Sequence, residues 1–498
     1  MSGLTLSGGI AVTRFERFLA AHPEYAETGA LDDLRRSEFA RLDSERQVYL
    51  DYTGGGLYAA SQLREHAELL AGQVFGNPHS ASPCSTATTE LVEETRRAIL
   101  EYFKAPPDEY TAVFTANATG ALKLAGEAYP FVPESRCLFT FDNHNSVNGI
   151  REFARSKGVS VEYAPITVPD LRIDRPQLSR LLERADRRRA NLFAFPAQSN
   201  FSGVKHPLDV IDEAHENGWD VLLDAAAFVP MNRLDLSASG PDFVAISFYK
   251  MFGYPTGVGS LIVRNRMLQR LTRPWFAGGT VNFATVQGRA HILAKLEAGF
   301  EDGTLNYLSI PAVGIGLRHL ERVGVDALHT RVSCLTAWTL SELLDLRHGN
   351  GRPLVRIYGP TTMAMRGGTI TLNFYDPDGH LLDYRRVEEL AIAERISFRT
   401  GCFCNPGAGE AAEGLSADDM LAGLDPAGEM TLPRFLQVLQ DRGGKSAGAI
   451  RVSLGMASNF ADVEAFLAFA AGFRDQTHLA IGAVTFDIAS CRVIRDGS

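Results

Sequence analysis

Between residues 220 and 259 the chain reads DVLLDAAAFVPMNRLDLSASGPDFVAISFYKMFGYPTGVG, and this stretch decides the fold. It holds two short apolar and β-branched runs, of the kind that forms strands buried on both faces. Each run leads into a charged group. Leu222-Leu223-Asp224 ends on a carboxylate, and Ser247-Phe248-Tyr249-Lys250 brings an amine 26 positions later, ahead of the glycine-rich turn Gly253-Tyr254-Pro255-Thr256-Gly257-Val258-Gly259. In open parallel sheets, chemistry gathers where strands end and helices begin. Taken singly, a buried Asp is more often a structural hydrogen-bonder and a Lys a solvated surface residue. Together at two strand ends they suggest pyridoxal phosphate, which needs a lysine to form a Schiff base and an acid to keep its pyridine nitrogen protonated.

Working outward, further strand-like runs are TAVFT (111–115), CLFTF (137–141), VSVEYAP (159–165) and ANLFAFP (190–196). Helical patterns at 118–129, 148–158, 176–186 and 207–217 separate them. This alternation predicts a parallel sheet with helices on both faces. Upstream, residues 11–44 read as two short helices, and QVYLDY (47–52) as a short strand before the turn Thr53-Gly54-Gly55-Gly56. Helices are expected at 59–74 and 88–104, the second capped by Thr88. After about 285 the texture turns helical (309–323, 326–346), and a second αβ segment follows from PLVRIYG to the helix at 460–474. The predicted organisation is an N-terminal helical segment (1–45), a large domain (46–285), a helical connection (286–350), a smaller α+β domain (351–475) and a tail (476–498). The Gly-, Ala- and acid-rich run 405–430 reads as a loop or lid.

With 498 residues, 45% of them hydrophobic, the chain has ample material for a large core. A net charge of −10 argues against a nucleic-acid or anionic-membrane binder. Four of the six cysteines, Cys84, Cys137, Cys334 and Cys491, are isolated in sequence, which fits a reducing compartment. No signal peptide and no apolar run long enough to span a membrane is expected, so a cytoplasmic enzyme is the default. Gly443-Gly444-Lys445-Ser446 mimics the end of a Walker loop, but Leu439 stands where its first glycine is required, so a plain loop is expected. Cys402-Phe403-Cys404 has no second ligand pair at zinc-finger spacing, and no metal is expected.

The collinear set YLDYTGGG, FTANATGALKLAGEAYPF, NHNSVNG, FPAQSNFSGVKHPLD, LLDAAAFVP, SFYKMFGYPTG, FAGGT, RTGCFCNPGA and IRVSLG resembles the aminotransferase class V superfamily. More narrowly it is similar to the N-terminal cysteine-desulfurase part of molybdenum cofactor sulfurases. The resemblance implies a type I pyridoxal-phosphate fold: a large domain with a mainly parallel seven-stranded sheet flanked by helices, plus a smaller α+β domain. It makes Lys250 the Schiff-base lysine and Asp224 the partner of the pyridine nitrogen. His144 becomes the histidine that stacks on the ring, and Asn200 the partner of the phenolic oxygen. Ala118, Thr119 and Ser247 would hold the phosphate, with Thr280 a third contact supplied by the neighbouring subunit of a homodimer. Arg399 and Arg451 would bind the substrate carboxylate, a task suited to the planar guanidinium fork.

The same resemblance implies L-cysteine, or a related thiol amino acid, as substrate. Its sulfur would pass to a protein thiolate, leaving alanine and a persulfide destined for a separate acceptor. The family's nucleophile lies five residues after the arginine of RTG, which selects Cys404 and leaves Cys402 as a helper. Departures narrow the match. Ala227 and Tyr249 replace the Gln and His of general desulfurases, and Gly409 stands where sulfurases carry a third loop cysteine. Those sulfurases continue into an acceptor domain, for which this chain is expected to have no room. The alternatives are a class V C–S lyase, in which Cys404 is dispensable, and an idle carrier that keeps only the fold.

Overall fold

The computed structural model describes residues 13–78, 80–423, 448–477, 484–487 and 492–495. The Gly443–Ser446 run, Cys491 and the second part of the 405–430 run lie outside the described residues. Seven strands form the central sheet, in the spatial order 110–115, 259–264, 243–247, 220–224, 192–196, 136–140, 160–164. Gly259–Arg264 runs antiparallel to both neighbours and every other pairing is parallel. Side chains alternate between two buried faces. Val221, Leu223, Val244 and Ile246 enter one apolar cluster, while Leu222, Phe243 and Ala245 enter another. Burial on both sides is why these strands are apolar without a break. It also leaves their polar termini as the places where chemistry can reach a surface.

A second sheet of four antiparallel strands, in the order 355–358, 369–374, 449–453, 399–401, carries its own apolar cluster. The N-terminal helices bind the two cores together. Phe18 and Tyr25 belong to the small-sheet cluster, whereas Leu31, Phe39 and Leu42 belong to the large one. Arg35 reinforces this with buried bonds to Asp462 and to the Ala457 carbonyl. Among the described residues, no helix is long and apolar enough to cross a membrane.

Three expectations need correction. The helix predicted from 88 begins at Pro83, capped by Ser82, because proline is preorganised for the first helical turn. Thr88 is buried inside that helix, its hydroxyl accepting the Gly76 N–H and donating to the Cys84 carbonyl. The supposed loop after 405 contains two helices, Pro406–Glu413 and Ala417–Gly423. One of its glycines reflects close packing: a Cβ on Gly407 would stand 1.8 Å from the Phe141 carbonyl oxygen. Finally, a hairpin of Val281–Thr285 and Ala290–Leu293, unanticipated from the sequence, spans the boundary expected at 285.

Candidate active site

Asp224 ends its strand, and its carboxylate accepts the N–H of Ala226 two residues on. Lys250 sits on the short helix Phe248–Phe252, which starts directly after the strand Phe243–Ser247. The Gly54–Gly56 turn packs on that helix, with the Gly56 N–H donating to the Tyr249 carbonyl. A Cβ on Gly56 would come within 2.9 Å of the Lys250 carbonyl oxygen, which explains a glycine there. Asn117 caps the helix Ala118–Ala128 through the Gly120 N–H, and the Ala118 N–H donates to Ser247 Oγ at 2.8 Å. Thr119 Oγ1 bonds to Ser146 Oγ at 2.8 Å, and Ser146 in turn reaches His144 Nδ1.

Lys250, Asp224, His144, Asn200, Ala118, Thr119 and Ser247 thus line a single cavity of about 130 Å³. A larger cavity of about 360 Å³, lined in part by Lys123, Glu127 and Asp302, contains none of the expected residues. Burial pushes the Lys250 amine below its ordinary pKa, against the pull of Asp224, and nearby Arg451 and Arg399 push the same way as burial. Burial likewise lowers His144, again opposed by Asp224. The backbone N–H of Ser146 can only donate, so it makes His144 Nδ1 the acceptor and leaves the proton of the neutral ring on Nε2.

The two arginines face each other on neighbouring strands of the small sheet. Both reach Asp51, a residue the sequence reading passed over. Arg399 Nε and a terminal nitrogen meet Asp51 Oδ2 at 3.0 and 2.8 Å, and Arg451 meets Oδ1 at 3.0 Å. Gly54 is obligatory beside them, since a Cβ there would lie 2.4 Å from the same carboxylate. Arg399 is half exposed and Arg451 only 3% exposed. For Arg451 burial lowers the pKa, with Asp51 opposing; for Arg399 burial works against the charge, but Asp51 prevails and raises it. The Arg451 Nε is buried without a hydrogen-bond acceptor.

Cys402 and Cys404 are exposed. They belong to a turn closed by the Asn405 N–H on the Cys402 carbonyl, with Phe403 and Cys404 at φ of +55° and +54°. That is the signature of a type I′ turn built from two non-glycine residues, at a cost of about 1–2 kcal/mol each. Long-range contacts enforce it. The Asn145 N–H donates to the Cys404 carbonyl at 2.7 Å, and Asn200 Nδ2 donates to the Phe403 carbonyl at 2.8 Å. The Arg451 guanidinium lies 4.8 Å from the centre of the Phe403 ring and interacts electrostatically with Cys404. Thr280 is placed elsewhere: it is fully buried, and its hydroxyl bonds to Ala277 in its own turn. Besides Asp51, the sequence reading missed Ser146, for which a serine two residues after His144 was the available signal.

The sequence profile of the aminotransferase class-V family matches residues 48–466. The chain belongs to this family. Molybdenum cofactor sulfurase of Arabidopsis thaliana is 37% identical over 477 residues, covering 88% of this chain and 57% of the relative. The human molybdenum cofactor sulfurase is 37% identical over 463 residues, covering 89% of this chain and 51% of the relative. The chain therefore spans little more than half the length of these curated relatives. Among solved structures, a cysteine desulfurase from Thermococcus onnurineus NA1 superposes with a TM-score of 0.72 at 22% identity, covering 88% of this chain and 97% of its own. Membership carries the type I fold and, with it, pyridoxal 5′-phosphate as cofactor. The residues fit that group, for one cavity offers a depressed amine, a strand-end carboxylate and a hydroxyl-rich helix start.

Proposed function

We propose that this chain is a pyridoxal-phosphate-dependent cysteine desulfurase of the molybdenum cofactor sulfurase type. It converts L-cysteine to L-alanine and retains the sulfur as a persulfide on Cys404, for delivery to a separate acceptor. When bound, the cofactor serves as an electron sink for charge left at the substrate's Cα. Lys250 would hold it covalently and, when free, would take the Cα proton at Nζ, for which a depressed pKa is the right condition. Asp224 would hold the pyridine nitrogen's proton, Asn200 the phenolic oxygen, and Ala118, Thr119 and Ser247 the phosphate. His144, with its proton on Nε2, would face the ring. Arg451, assisted by Arg399, would take the substrate carboxylate.

The Cys404 thiolate attacks the substrate's sulfur. The S–S bond would form as the C–S bond breaks, its electron pair passing to Cβ; Cβ would then take up a proton and Lys250 would return one to Cα, giving alanine. One observation carries this reading: the turn bearing Cys404 is hydrogen-bonded to Asn145, beside His144, and to Asn200, both walls of the lysine's cavity. The partner in a homodimer would cover the apolar side chains exposed around the 281–293 hairpin, namely Trp275, Phe276, Phe283, Val286 and Ile292. Two exposed thiols suit a reducing cytoplasmic setting.

The test is incubation of the holoenzyme with L-cysteine, measuring alanine, pyruvate and protein-bound persulfide. Alanine and persulfide in equal amounts, both lost in Cys404→Ser, are expected. Pyruvate and free sulfide that survive Cys404→Ser would replace this reading with a C–S lyase.

A further inference from the structure

Asn405 is completely buried, and every polar atom of its amide is committed. Nδ2 donates to the Asp142 carbonyl at 2.7 Å and to Asn200 Oδ1 at 2.9 Å, while Oδ1 accepts the Ala408 N–H at 3.2 Å and caps the helix Pro406–Glu413. The second of these bonds fixes the orientation of Asn200. With Oδ1 held by a donor, the Asn200 amide cannot flip, so Nδ2 must turn the other way, where one of its protons meets the Phe403 carbonyl. An amide nitrogen carries two protons. The second is available to the cavity that Asn200 lines.

The first bond ties the turn to the opposite wall. Asp142 is itself anchored from behind, its carboxylate bonded to the equally buried His206 at 2.8 Å. Two residues beyond Asp142 comes His144, and the next residue, Asn145, donates to the Cys404 carbonyl. One side chain therefore joins the segment of His144, the amide of Asn200 and the turn of Cys404.

We propose that Asn405 is a positioning residue: its amide sets the orientation of Asn200 and the strained turn of Cys404 as one unit, so that the nucleophile and a hydrogen-bond partner of the cofactor are correctly placed together or not at all. The inference rests on the desulfurase reading above. Displacing the turn would break the Phe403 bond to Asn200 and alter the partner of the cofactor oxygen in the same movement.

Two substitutions isolate the donated bonds. Asn405→Ser and Asn405→Asp both keep an oxygen that can cap the helix, and both replace the two Nδ2 protons with at most one hydroxyl proton, so at least one of the two donated bonds is lost. Aspartate also keeps the size of the side chain, which separates the lost donor from a simple cavity. Two readouts independent of turnover apply to the cofactor-loaded protein. Hydrogen exchange at the amides of Asn145 and position 405 should speed up by at least about tenfold, with the strand Phe243–Ser247 unchanged. The pH midpoint at which the bound cofactor's visible absorbance changes should move by about half a unit or more, because the hydrogen bond to its phenolic oxygen is altered. Both changes in both variants support the proposal. Either readout unchanged overturns it, including the case in which the variants merely melt at a lower temperature. Wild-type protein that takes up no pyridoxal phosphate overturns the desulfurase reading itself, before any variant is made.

Discussion

The carboxyl edge of the large sheet and the turn at 402–405 are the two halves of the proposed site, and they are held in place by opposite means. At the sheet edge Asp224, His144 and Lys250 are each placed first by their own stretch of chain. Asp224 accepts a backbone N–H two residues on, His144 does the same with Ser146, and Lys250 follows its strand by three residues. At the turn, two residues in left-handed backbone conformation are held by side chains and amides from positions 145, 200 and 451. Local restraint gives a rigid platform for cofactor chemistry. Restraint from a distance gives a thiol-bearing turn whose position depends on the packing of one sheet against the other.

This contrast makes substitutions at the two regions fail differently. The largest effect belongs to the platform. Lys250→Ala should lower desulfuration by about 10²–10⁴-fold through loss of the base alone, and prevent covalent attachment of the cofactor. It should leave the melting transition of the cofactor-free protein undiminished, because burial already disfavours the charge that is removed. Turnover and calorimetry on the same variant test this, and a large loss of stability would break the comparison.

Next comes the charge cluster under the turn. Asp51→Ala leaves Arg451 buried without its carboxylate and should cost about 3–5 kcal/mol in denaturant unfolding. Arg399→Gln, at a half-exposed position on the same carboxylate, should cost less than about 1 kcal/mol, with its effect falling on the KM for cysteine. Equal stability losses for the two would mean that burial is not what distinguishes them.

The two regions also differ in how plainly the sequence announces them. Strands covered on both faces are apolar throughout, so a charge at the end of such a run is conspicuous, and Asp224 and Lys250 could be found by spacing. Family resemblance then supplied His144, Asn200 and the arginines, and all of these converge on the cavity or on Asp51. Asp51 itself was hidden because one carboxylate in a short strand looks structural. Its meaning appears only when strands from residues 399–401 and 449–453 fold over it. The helix at 406–413 was misread because its glycines suggested flexibility, whereas Gly407 is there to let the helix approach the Phe141 backbone. The hairpin at 281–293 escaped notice because its apolar residues are exposed and belong to no core of a single chain.

The smallest predicted effect sharpens the local side of the comparison. His144 is held neutral by burial, so its folded pKa lies below its ordinary value of 6.5. Between those two values the unfolded chain binds a proton that the folded chain does not. Stability must therefore fall as the pH drops from 6.5 through the folded value, with the full loss reached below it. His144→Gln removes that titration and keeps a side chain able to accept the Ser146 N–H. Denaturant midpoints of the cofactor-free proteins between about pH 8 and about pH 5 should show a shallower decline in the variant than in the wild type. Parallel declines would show that the histidine is not buried against its charge, and that the platform is more open than its hydrogen bonds indicate.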